Sequence, residues 1–513
     1  MLSTFLVLFR RLAPLLLVLA VLVVGCDSAG DNQTGSSADT TTVADAVDGF
    51  TSQPAPIVVD GRGNDWTELN VRQADVGDGE GSTGIERLWV AHTQQHLFFR
   101  VTVDQPLNLQ ENNDLTLYLD ADNDPTTGQS ALGLGAELEW AFGNRAGSLG
   151  GDRRVRHEDI GIASLPTVRT SKFEVALDRS AQPNGEPLFS GESLRIGLSS
   201  DGDRVPDTNG GLGYVLSDPE TTGRTPSIDR PSASDLRLLS YNVLRSSIFD
   251  GNAQQSYRRI LEAADPDIIG YQEVYEYSAT ETEQVSEGAL GISDAWNWAK
   301  VDLDLVLGTR YPILDTYQIP GGDGLPSGAF LVDAKEALGD SLIVVLMHPK
   351  CCGGMSEDQS RQETVDGVAA FLRDVTRGEG PFGVGAETPV AVVGDMNFVG
   401  DAQQPRTLRT GQIQNTGQFG QSASPDWDDS SLLDTNPRQT GAPLHTTTFS
   451  PGGFPPGRLD YAYVTDSVLD VAHEFVLTTR PLSDATLQEQ GLQRDDTPTA
   501  SDHLPVVLDL TLR

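Results

Sequence analysis

The second half of the sequence contains a series of apolar runs, and each run meets polar residues at one end. The run PVAVVGDMNFVG, residues 389–400, suits a buried strand until Gly394, where the chain can turn sharply and display Asp395 and Asn397. The same pattern recurs in LLSYNV, IIGYQEV, VVLMH, RLDYAYV and SDHLPVVLDL. Strands buried on both faces are apolar throughout, whereas polar residues at their ends can meet at one sheet edge. We therefore expect a layered α/β domain with one polar cleft.

The polar residues at these ends form an ordered set along the chain. Its members are Asn242, Glu273, His348, Asp395, Asn397, Asp460, Asp502 and His503. In this order they resemble the endonuclease/exonuclease/phosphatase superfamily, over residues 235–513. The resemblance implies the DNase I-like fold, a four-layer α/β sandwich of two packed sheets flanked by helices. It also implies hydrolysis of phosphate esters.

The resemblance assigns a metal and a base. Glu273 and Asn242, with a contribution from Asp502, are implied to hold Mg²⁺ or Mn²⁺ through oxygen ligands. His503 is implied to be the general base that activates water, with Asp460 orienting its ring. The structural alternatives are turn formation for the Asn and surface charge for the carboxylates.

The remaining members are implied to contact the substrate. Asp395 and Asn397 would position the nucleophile and the phosphoryl oxygens, and His348 would donate to the phosphate or the leaving oxygen. A core histidine is the alternative for His348. Lys350, in the insertion HPKCCGGMSEDQ, and Arg361, in the helical segment SRQETVDGVAAFL, are the candidate substrate contacts.

The region 55–216 has short alternating runs separated by Gly, Asp, Asn and Pro, which predict an antiparallel β-sandwich. The segments VVDGRGNDW, HLFFRV and LYLDADNDPTTG resemble carbohydrate-binding modules of the family 9 type, which implies a polysaccharide partner. Asp120, Asp122 and Asp124 share one turn and suit Ca²⁺, or they form a solvated acidic turn. The Pro-, Ser- and Thr-rich stretch 217–234 is the predicted linker.

The first 25 residues have the pattern of an export signal. Arg10 and Arg11 precede an apolar stretch that ends at Gly25-Cys26. The sequence VVGC resembles the lipobox of a bacterial lipoprotein, which implies lipidation of Cys26, membrane anchoring in the periplasm or at the cell surface, and a flexible tether at 26–54. An uncleaved signal anchor is the alternative. The other two cysteines, Cys351 and Cys352, are adjacent, which excludes a disulfide framework.

The net charge of the chain limits which substrates it is expected to bind. With 74 acidic and 35 basic residues the formal net charge is −39, which disfavours nonspecific binding of nucleic acid. The working hypothesis is a lipid-anchored, extracytoplasmic, metal-dependent phosphoesterase that cleaves phosphodiesters as nucleases do. The alternatives are a small-molecule or lipid phosphoesterase of the same fold and a non-catalytic glycan-binding surface lipoprotein. The intact set of acid, base and metal residues favours an enzyme.

Overall fold

The computed structural model describes residues 50–70, 73–74, 83–219, 223, 225–292, 295–450 and 452–513. The predicted signal segment, Cys26 and the tether up to residue 49 lie outside the described residues. Everything described falls within one compact unit, Val43–Arg513. Within the described ranges, no helix has both the length and the apolar character needed to cross a membrane.

The N-terminal part is built almost entirely of short strands, as its alternating pattern predicts. They are β1 (Gln73–Ala74), β2 (Ile85–His92), β3 (His96–Leu107), β4 (Thr116–Asp120), β5 (Gln129–Ala131), β6 (Leu134–Ala136), β7 (Leu138–Ala141), β8 (Ala146–Leu149), β9 (Arg153–Val155), β10 (Ala163–Leu165), β11 (Thr170–Asp178), β12 (Ser193–Ser200), β13 (Asp203–Val205) and β14 (Leu212–Val215). One short helix, α1 (His157–Ile160), and 3₁₀ turns at Asn64–Trp66, Phe142–Asn144 and Pro183–Gly185 join them.

These strands form an antiparallel β-sandwich. One sheet has the order β1-β2-β3-β11-β10, the other has the order β13-β12-β4-β7-β8-β9 with β14 paired to β12, and β5 and β6 form a small separate hairpin. Alternate residues of both sheets, such as Phe99 and Trp140, interdigitate in one apolar core. The opposite face of the first sheet is covered by residues 57–66 and by Leu444 of the C-terminal part. The sandwich is therefore packed against the rest of the chain.

The C-terminal part alternates strands with helices. Its strands are β15 (Leu236–Asn242), β16 (Ile268–Gln272), β17 (Asn297–Val301), β18 (Leu305–Thr309), β19 (Ile313–Ile319), β20 (Ser327–Val332), β21 (Leu342–Met347), β22 (Val390–Asp395), β23 (Leu433–Asp434), β24 (Asp460–Val464), β25 (Leu469–Val476) and β26 (Val506–Leu512). Its helices are α2 (Gln254–Ala264), α3 (Ala279–Gly288), α4 (Lys335–Leu338), α5 (Met355–Thr376), α6 (Gln403–Thr410), α7 (Thr416–Phe419), α8 (Asp484–Glu489) and α9 (Asp496–Ala500), with 3₁₀ turns at Ser247–Phe249 and Gly322–Gly324.

Two six-stranded sheets stack in the middle of this part. Their orders are β17-β18-β16-β15-β26-β25 and β19-β20-β21-β22-β24-β23. Side chains such as Leu238 and Leu346 fill the space between the sheets. The outer face of the first sheet packs against α2, and that of the second packs against α5. The result is a four-layer α/β sandwich, as the resemblance implies.

The stretch before β15 follows the surface of this domain. Ile228 is buried in the core beneath α2, and Arg230 pairs with Asp267 at 2.6 Å. Arg237 on β15 is fully buried and makes a bidentate pair with Asp509 on β26, at 2.6 and 2.7 Å. It also donates to the carbonyl of Ile228. The described end of the predicted linker is thus attached to the C-terminal domain.

Candidate active site

Strand ends from both central sheets meet at one edge. Asn242 ends β15 and Glu273 directly follows β16, which runs parallel to β15. In the second sheet His348 follows β21, and Asp395 ends the parallel strand β22. Strands β24 and β26 run in the opposite direction, so their starting ends lie at the same edge. Asp460, the first residue of β24, is therefore the register partner of Asp395, and His503 precedes β26.

Gly394 is required where β22 approaches β21. It has a φ of 144°, and a Cβ at this position would lie 2.1 Å from the carbonyl oxygen of Met347. The two residues are register partners in the parallel pair. Any side chain here would push the strands apart and move Asp395. The sequence predicts that Gly394 lets the chain turn before Asp395, and the structure agrees. The glycine is also required because the neighbouring strand lies too close for a side chain.

His503 and Asp460 form a buried pair. The imidazole Nδ1 lies 2.8 Å from Asp460 Oδ2, and only 5% of His503 is exposed. The ring of Phe449 packs on the imidazole, with 4.7 Å between ring centroids. Burial lowers the pKa of His503, but the charges of Asp460 and Asp395 outweigh that effect and raise the pKa to about 10. The carboxylate therefore both orients the ring and stabilises its protonated form.

A second pair joins His348 to Asp304, a residue that sequence reasoning missed. The distance from His348 Nδ1 to Asp304 Oδ2 is 2.5 Å, and the same oxygen accepts a hydrogen bond from the backbone N–H of Glu273. Burial lowers the pKa of His348, but the hydrogen bond and charge of Asp304 outweigh it and raise the pKa to about 9. Asp304 precedes β18, which is antiparallel to β16, so its position at this edge follows from the strand direction.

Asp395 lies between the two imidazoles. Its Oδ2 is 3.6 Å from Nε2 of His348 and 3.6 Å from Nε2 of His503. The same oxygen accepts hydrogen bonds from the side-chain amides of Asn242, at 3.0 Å, and Asn397, at 3.2 Å. Burial raises the pKa of Asp395, and the charge of His503 partly offsets that effect. Each histidine is held by its own aspartate, and the two imidazoles both direct Nε2 toward the carboxylate of Asp395.

Glu273 is the carboxylate best placed to bind a cation. It has a φ of 67°, a conformation that costs a non-glycine residue about 1–3 kcal/mol and is commonly stored at functional sites. Its Oε1 accepts from Asn242 Nδ2 at 3.1 Å and lies 3.9 Å from Nε2 of His348. Its Oε2 accepts from the backbone N–H of Arg245. Among the described residues, the imidazole of His348 is the one basic side chain within 4.0 Å of this carboxylate.

The donor set fits a hard divalent cation. Glu273, Asn242 and Asp395 supply oxygen atoms, and Oδ1 of Asp502 is buried without a hydrogen-bond partner among the described residues. Burial raises the pKa of Asp502, and the charge of Glu273 adds to that effect. This small set of oxygen donors suits Mg²⁺, which binds to one or two carboxylates and keeps several of its waters.

Arg361 does not reach the cleft, so the prediction that it contacts substrate is wrong. Its side chain is fully buried beneath the loop after His348. It donates to the carbonyls of Lys350 and Cys352, at 2.8 and 2.6 Å, and pairs with Asp358 at 2.5 Å. Every arm of the guanidinium is thus engaged within the protein. Arg361 holds the loop that carries Lys350, whose own contact with phosphate stays a prediction.

A separate acidic cluster lies in the sandwich. Among the described residues, three carboxylates come within 4.8 Å of one another at Asp120, Asp122 and Glu137. Asp120 is fully buried, and its Oδ2 has no hydrogen-bond partner in the part of the chain that the structure describes. Asp124, the predicted third ligand, instead accepts hydrogen bonds from Thr126. Glu137 therefore replaces Asp124 in the candidate calcium set, because β-strand pairing brings it beside Asp120.

The family assignment agrees with this geometry. Residues 239–503, more than half of the chain, match the model of the Endonuclease/Exonuclease/phosphatase family. The chain belongs to this family. Its DNase I-like fold, preceded by a β-rich N-terminal domain, is the one that the sequence predicts, and the family's members hydrolyse phosphate esters. A search of curated proteins found no match for the chain.

Solved structures similar to this endonuclease/exonuclease/phosphatase member include three bacterial proteins. Sphingomyelinase C from Streptomyces griseocarneus is 14% identical, with a TM-score of 0.33, and the match covers 54% of this chain and 99% of that one. An endonuclease/exonuclease/phosphatase from Beutenbergia cavernae is 19% identical, with a TM-score of 0.33, and the match covers 54% and 72%. Beta toxin from Staphylococcus aureus is 16% identical, with a TM-score of 0.32, and the match covers 53% and 99%.

Proposed function

We propose that this protein hydrolyses phosphodiester bonds with the help of a bound Mg²⁺ or Mn²⁺ ion and with His503 as the general base. The observation that carries the proposal is the pair of imidazole–carboxylate couples facing Asp395, each with Nε2 at 3.6 Å from the same oxygen. Two imidazoles so arranged can take a proton on one side of a phosphate and deliver one on the other. One side chain then acts as base while the other acts as acid.

The proposed reaction moves one proton at each histidine. Because the pKa of His503 is raised to about 10, only its unprotonated form can act as the base: Nε2 then accepts a proton from water as the water oxygen bonds to phosphorus, and Asp460 holds the ring by its Nδ1. Nε2 of His348, held by Asp304, gives its proton to the leaving oxygen as the phosphorus–oxygen bond breaks. Asn397 and Asp395 orient the water and the phosphoryl oxygens. The products are a phosphate monoester and an alcohol.

The metal is proposed to bind on the Glu273 side of the cleft. Glu273 would hold it, with Asn242 and Asp502 completing the protein ligands. A bound divalent cation supplies positive charge that stabilises the phosphoryl oxygens as negative charge develops there. The residues of this chain orient the substrate around that charge.

The test is turnover of bis(p-nitrophenyl) phosphate with added Mg²⁺ or Mn²⁺ and after treatment with EDTA. We expect metal-dependent release of nitrophenol that falls by about 10²–10⁴-fold in His503→Gln. The matched control is His473→Gln, because His473 also contacts a carboxylate, at 3.2 Å from Asp509, but lies away from the cleft. Turnover of His503→Gln at the wild-type level would show that the proposed base takes no part in the chemistry.

A nucleic acid is the proposed substrate to test first, and a small phosphodiester or a lipid is the alternative. The net charge of −39 opposes tight binding of polyanions at low ionic strength. Cleavage of supercoiled DNA, assayed at low and high salt beside the small diester, separates the two. A nuclease of this charge should work better as salt rises, whereas a small-molecule enzyme should leave the plasmid intact at both concentrations.

We propose that the protein is exported and anchored to the membrane through lipid on Cys26. The support is the apolar segment ending in VVGC. Metabolic labelling with a radioactive fatty acid should label the mature protein but not the Cys26→Ser variant, and the variant should leave the membrane fraction. A labelled Cys26→Ser chain would contradict the assignment.

The sandwich is proposed to bind Ca²⁺ through Asp120, Asp122 and Glu137 and to contact a polysaccharide. The support for the ion is Oδ2 of Asp120, which is buried and has no hydrogen-bond partner among the residues that the structure describes. The support for the glycan is the sequence resemblance alone. Retention of the full chain on insoluble polysaccharides, with and without Ca²⁺, tests the ion and the glycan together. No retention on any glycan would contradict the proposed polysaccharide contact.

A further inference from the structure

A cavity of about 230 Å³ lies beside the active site, and its walls come from both parts of the chain. The sandwich supplies Asn108 and Thr167, the loop after His348 supplies Cys351 and Cys352, and the loop that carries Asn397 closes another side. The cavity is smaller than the roughly 300–1,000 Å³ pockets that hold drug-sized ligands. It has room for one ring or a short chain beside the phosphate.

The sandwich wall is fixed by hydrogen bonds to the loop that follows β22. Thr167 Oγ1 donates to the carbonyl of Phe398 at 2.6 Å, and Asn108 Nδ2 donates to the carbonyl of Val399 at 3.0 Å. The backbone N–H of Arg169 donates to the carbonyl of Gly400 at 2.7 Å. The three acceptor carbonyls belong to the three residues that follow Asn397. The sandwich therefore belongs to the wall of the cleft and also helps to position a residue of the site.

The remaining wall is apolar and aromatic. Phe449 lines the cavity and also packs on the ring of His503. Phe454 is 41% exposed, and the guanidinium of Arg145 lies 4.2 Å from its ring centroid. That guanidinium is already paired with Glu111 at 3.2 Å. The cation therefore does not provide a free site for an anion, and the exposed ring is available to an apolar group.

We propose that this cavity is the subsite for the ester substituent that stays on phosphorus, and that it selects a single aromatic ring or a short alkyl chain. The inference rests on the proposed phosphodiester hydrolysis. In an in-line displacement the attacking water and the leaving oxygen lie on one line through phosphorus, and the retained substituent projects to the side of that line. The cavity borders both ends of the line, because the loop after His348 supplies Cys351 and Cys352 and Phe449 packs on His503. It is therefore placed to hold the substituent that projects between the two histidines.

The first test compares two diesters that share the p-nitrophenyl leaving group and carry either a phenyl or a methyl group as the second substituent. We expect kcat/KM to favour the phenyl diester by about tenfold, corrected for the uncatalysed rates, since filling an apolar pocket is worth this much. In Phe454→Ala, kcat/KM for the phenyl diester should fall to about the value for the methyl diester, so that the preference is lost. Equal kcat/KM values in the wild type, or an unchanged preference in Phe454→Ala, would overturn the proposal.

The control is Phe50→Ala. Phe50 is exposed to nearly the same extent, 39%, and also lies beside an arginine, with the guanidinium of Arg195 at 5.1 Å, but it is not part of the cavity. It should keep the full preference for the phenyl diester. Loss of the preference in Phe50→Ala as well would mean that the effect is not specific to the cavity wall, which would also overturn the proposal.

The second test needs no turnover. In a Cys26→Ser chain, Cys351 and Cys352 are the only cysteines, and both are exposed at the cavity. Phenylphosphonate at about ten times its dissociation constant should slow their labelling by Ellman's reagent about tenfold by mass action. Methylphosphonate at the same concentration should not. If the protein turns over no diester, protection by the phenyl compound alone still supports an apolar subsite, and equal labelling rates with the two compounds refute it.

Discussion

Replacing Asp304 by Asn tests whether the second histidine pair takes part in catalysis. The carboxylate makes two contacts, 2.5 Å to Nδ1 of His348 and 3.2 Å to the backbone N–H of Glu273. Asn keeps the size of the side chain but removes its charge. The hydrogen bond and charge of Asp304 are what raise the pKa of His348 to about 9 against the effect of burial. In the variant, burial dominates and the pKa of His348 falls.

The size of the effect follows from the lost contact. A hydrogen bond to a charged group contributes about 1.5–3 kcal/mol, and at about 1.4 kcal/mol for each factor of ten this corresponds to a loss of roughly 10- to 150-fold. The amide can also donate to Nδ1 and hold the wrong tautomer, which adds to the loss. We therefore expect kcat for bis(p-nitrophenyl) phosphate to fall by about 10²-fold or more, with little change in KM.

The matched control is Asp302→Asn in the same turn. Asp302 is exposed and has a φ of 57°, which Asn tolerates, so its replacement should leave kcat unchanged. Circular dichroism would confirm that both variants are folded, and a histidine NMR titration in EDTA would report the pKa of His348. A folded Asp304→Asn enzyme with kcat within about threefold of wild type would refute the reasoning, because so small a loss is less than the hydrogen bond itself contributes.

Three further predictions concern stability. The pKa of His503 is raised to about 10 from an ordinary 6.5. Its contribution to the free energy of unfolding is therefore complete below pH 6.5 and is lost as pH rises toward 10. In EDTA, calorimetry should therefore show Tm falling more steeply between about pH 7 and pH 10 in wild type than in His503→Gln; parallel curves would contradict this. Ca²⁺ should raise Tm by several degrees in wild type and in Asp124→Asn but not in Glu137→Gln, and the reverse pattern would restore the sequence-based ligand set. Arg237→Ala leaves Asp509 buried with the imidazole of His473, at 3.2 Å, as its remaining partner among the described side chains, and urea unfolding should show the free energy of unfolding falling toward the lower end of about 3–5 kcal/mol; a loss below about 1 kcal/mol would mean that the buried pair behaves as a surface one.

The part of the site that could be predicted lies at the ends of long apolar runs. Strands buried on both faces leave little choice of secondary structure, and their parallel pairing places Asn242, Glu273, His348 and Asp395 at one edge. Asp304 could not be found in this way, because in the sequence it looks like Asp302 in the same turn. The structure distinguishes the two residues, since Asp304 is buried and contacts His348 whereas Asp302 is exposed. A search for polar residues at both ends of every apolar run would have included it.

Arg361 and Asp124 depart from the sequence expectation for a different reason. A charged residue on a helix near the catalytic histidine is consistent with a substrate contact, but its pattern does not reveal which way the side chain turns. Arg361 turns toward the backbone carbonyls of an insertion whose shape the sequence does not specify. Likewise the spacing of Asp120, Asp122 and Asp124 fits one turn, but β4 pairs with β7 and brings Glu137 to the same place. Both outcomes depend on contacts between distant segments.

The role of the sandwich is the least predictable feature and the one with the widest consequence. The bonds from Thr167 to Phe398 and from Asn108 to Val399 join residues that are 231 and 291 positions apart, and no local pattern signals them. A module that only tethers the enzyme to a glycan would not need such bonds. Because these bonds end on the loop that carries Asn397, substitutions at Thr167 and Asn108 should alter catalysis even though both residues lie outside the catalytic fold. The N-terminal domain is therefore better understood as part of the active-site wall than as an independent attachment.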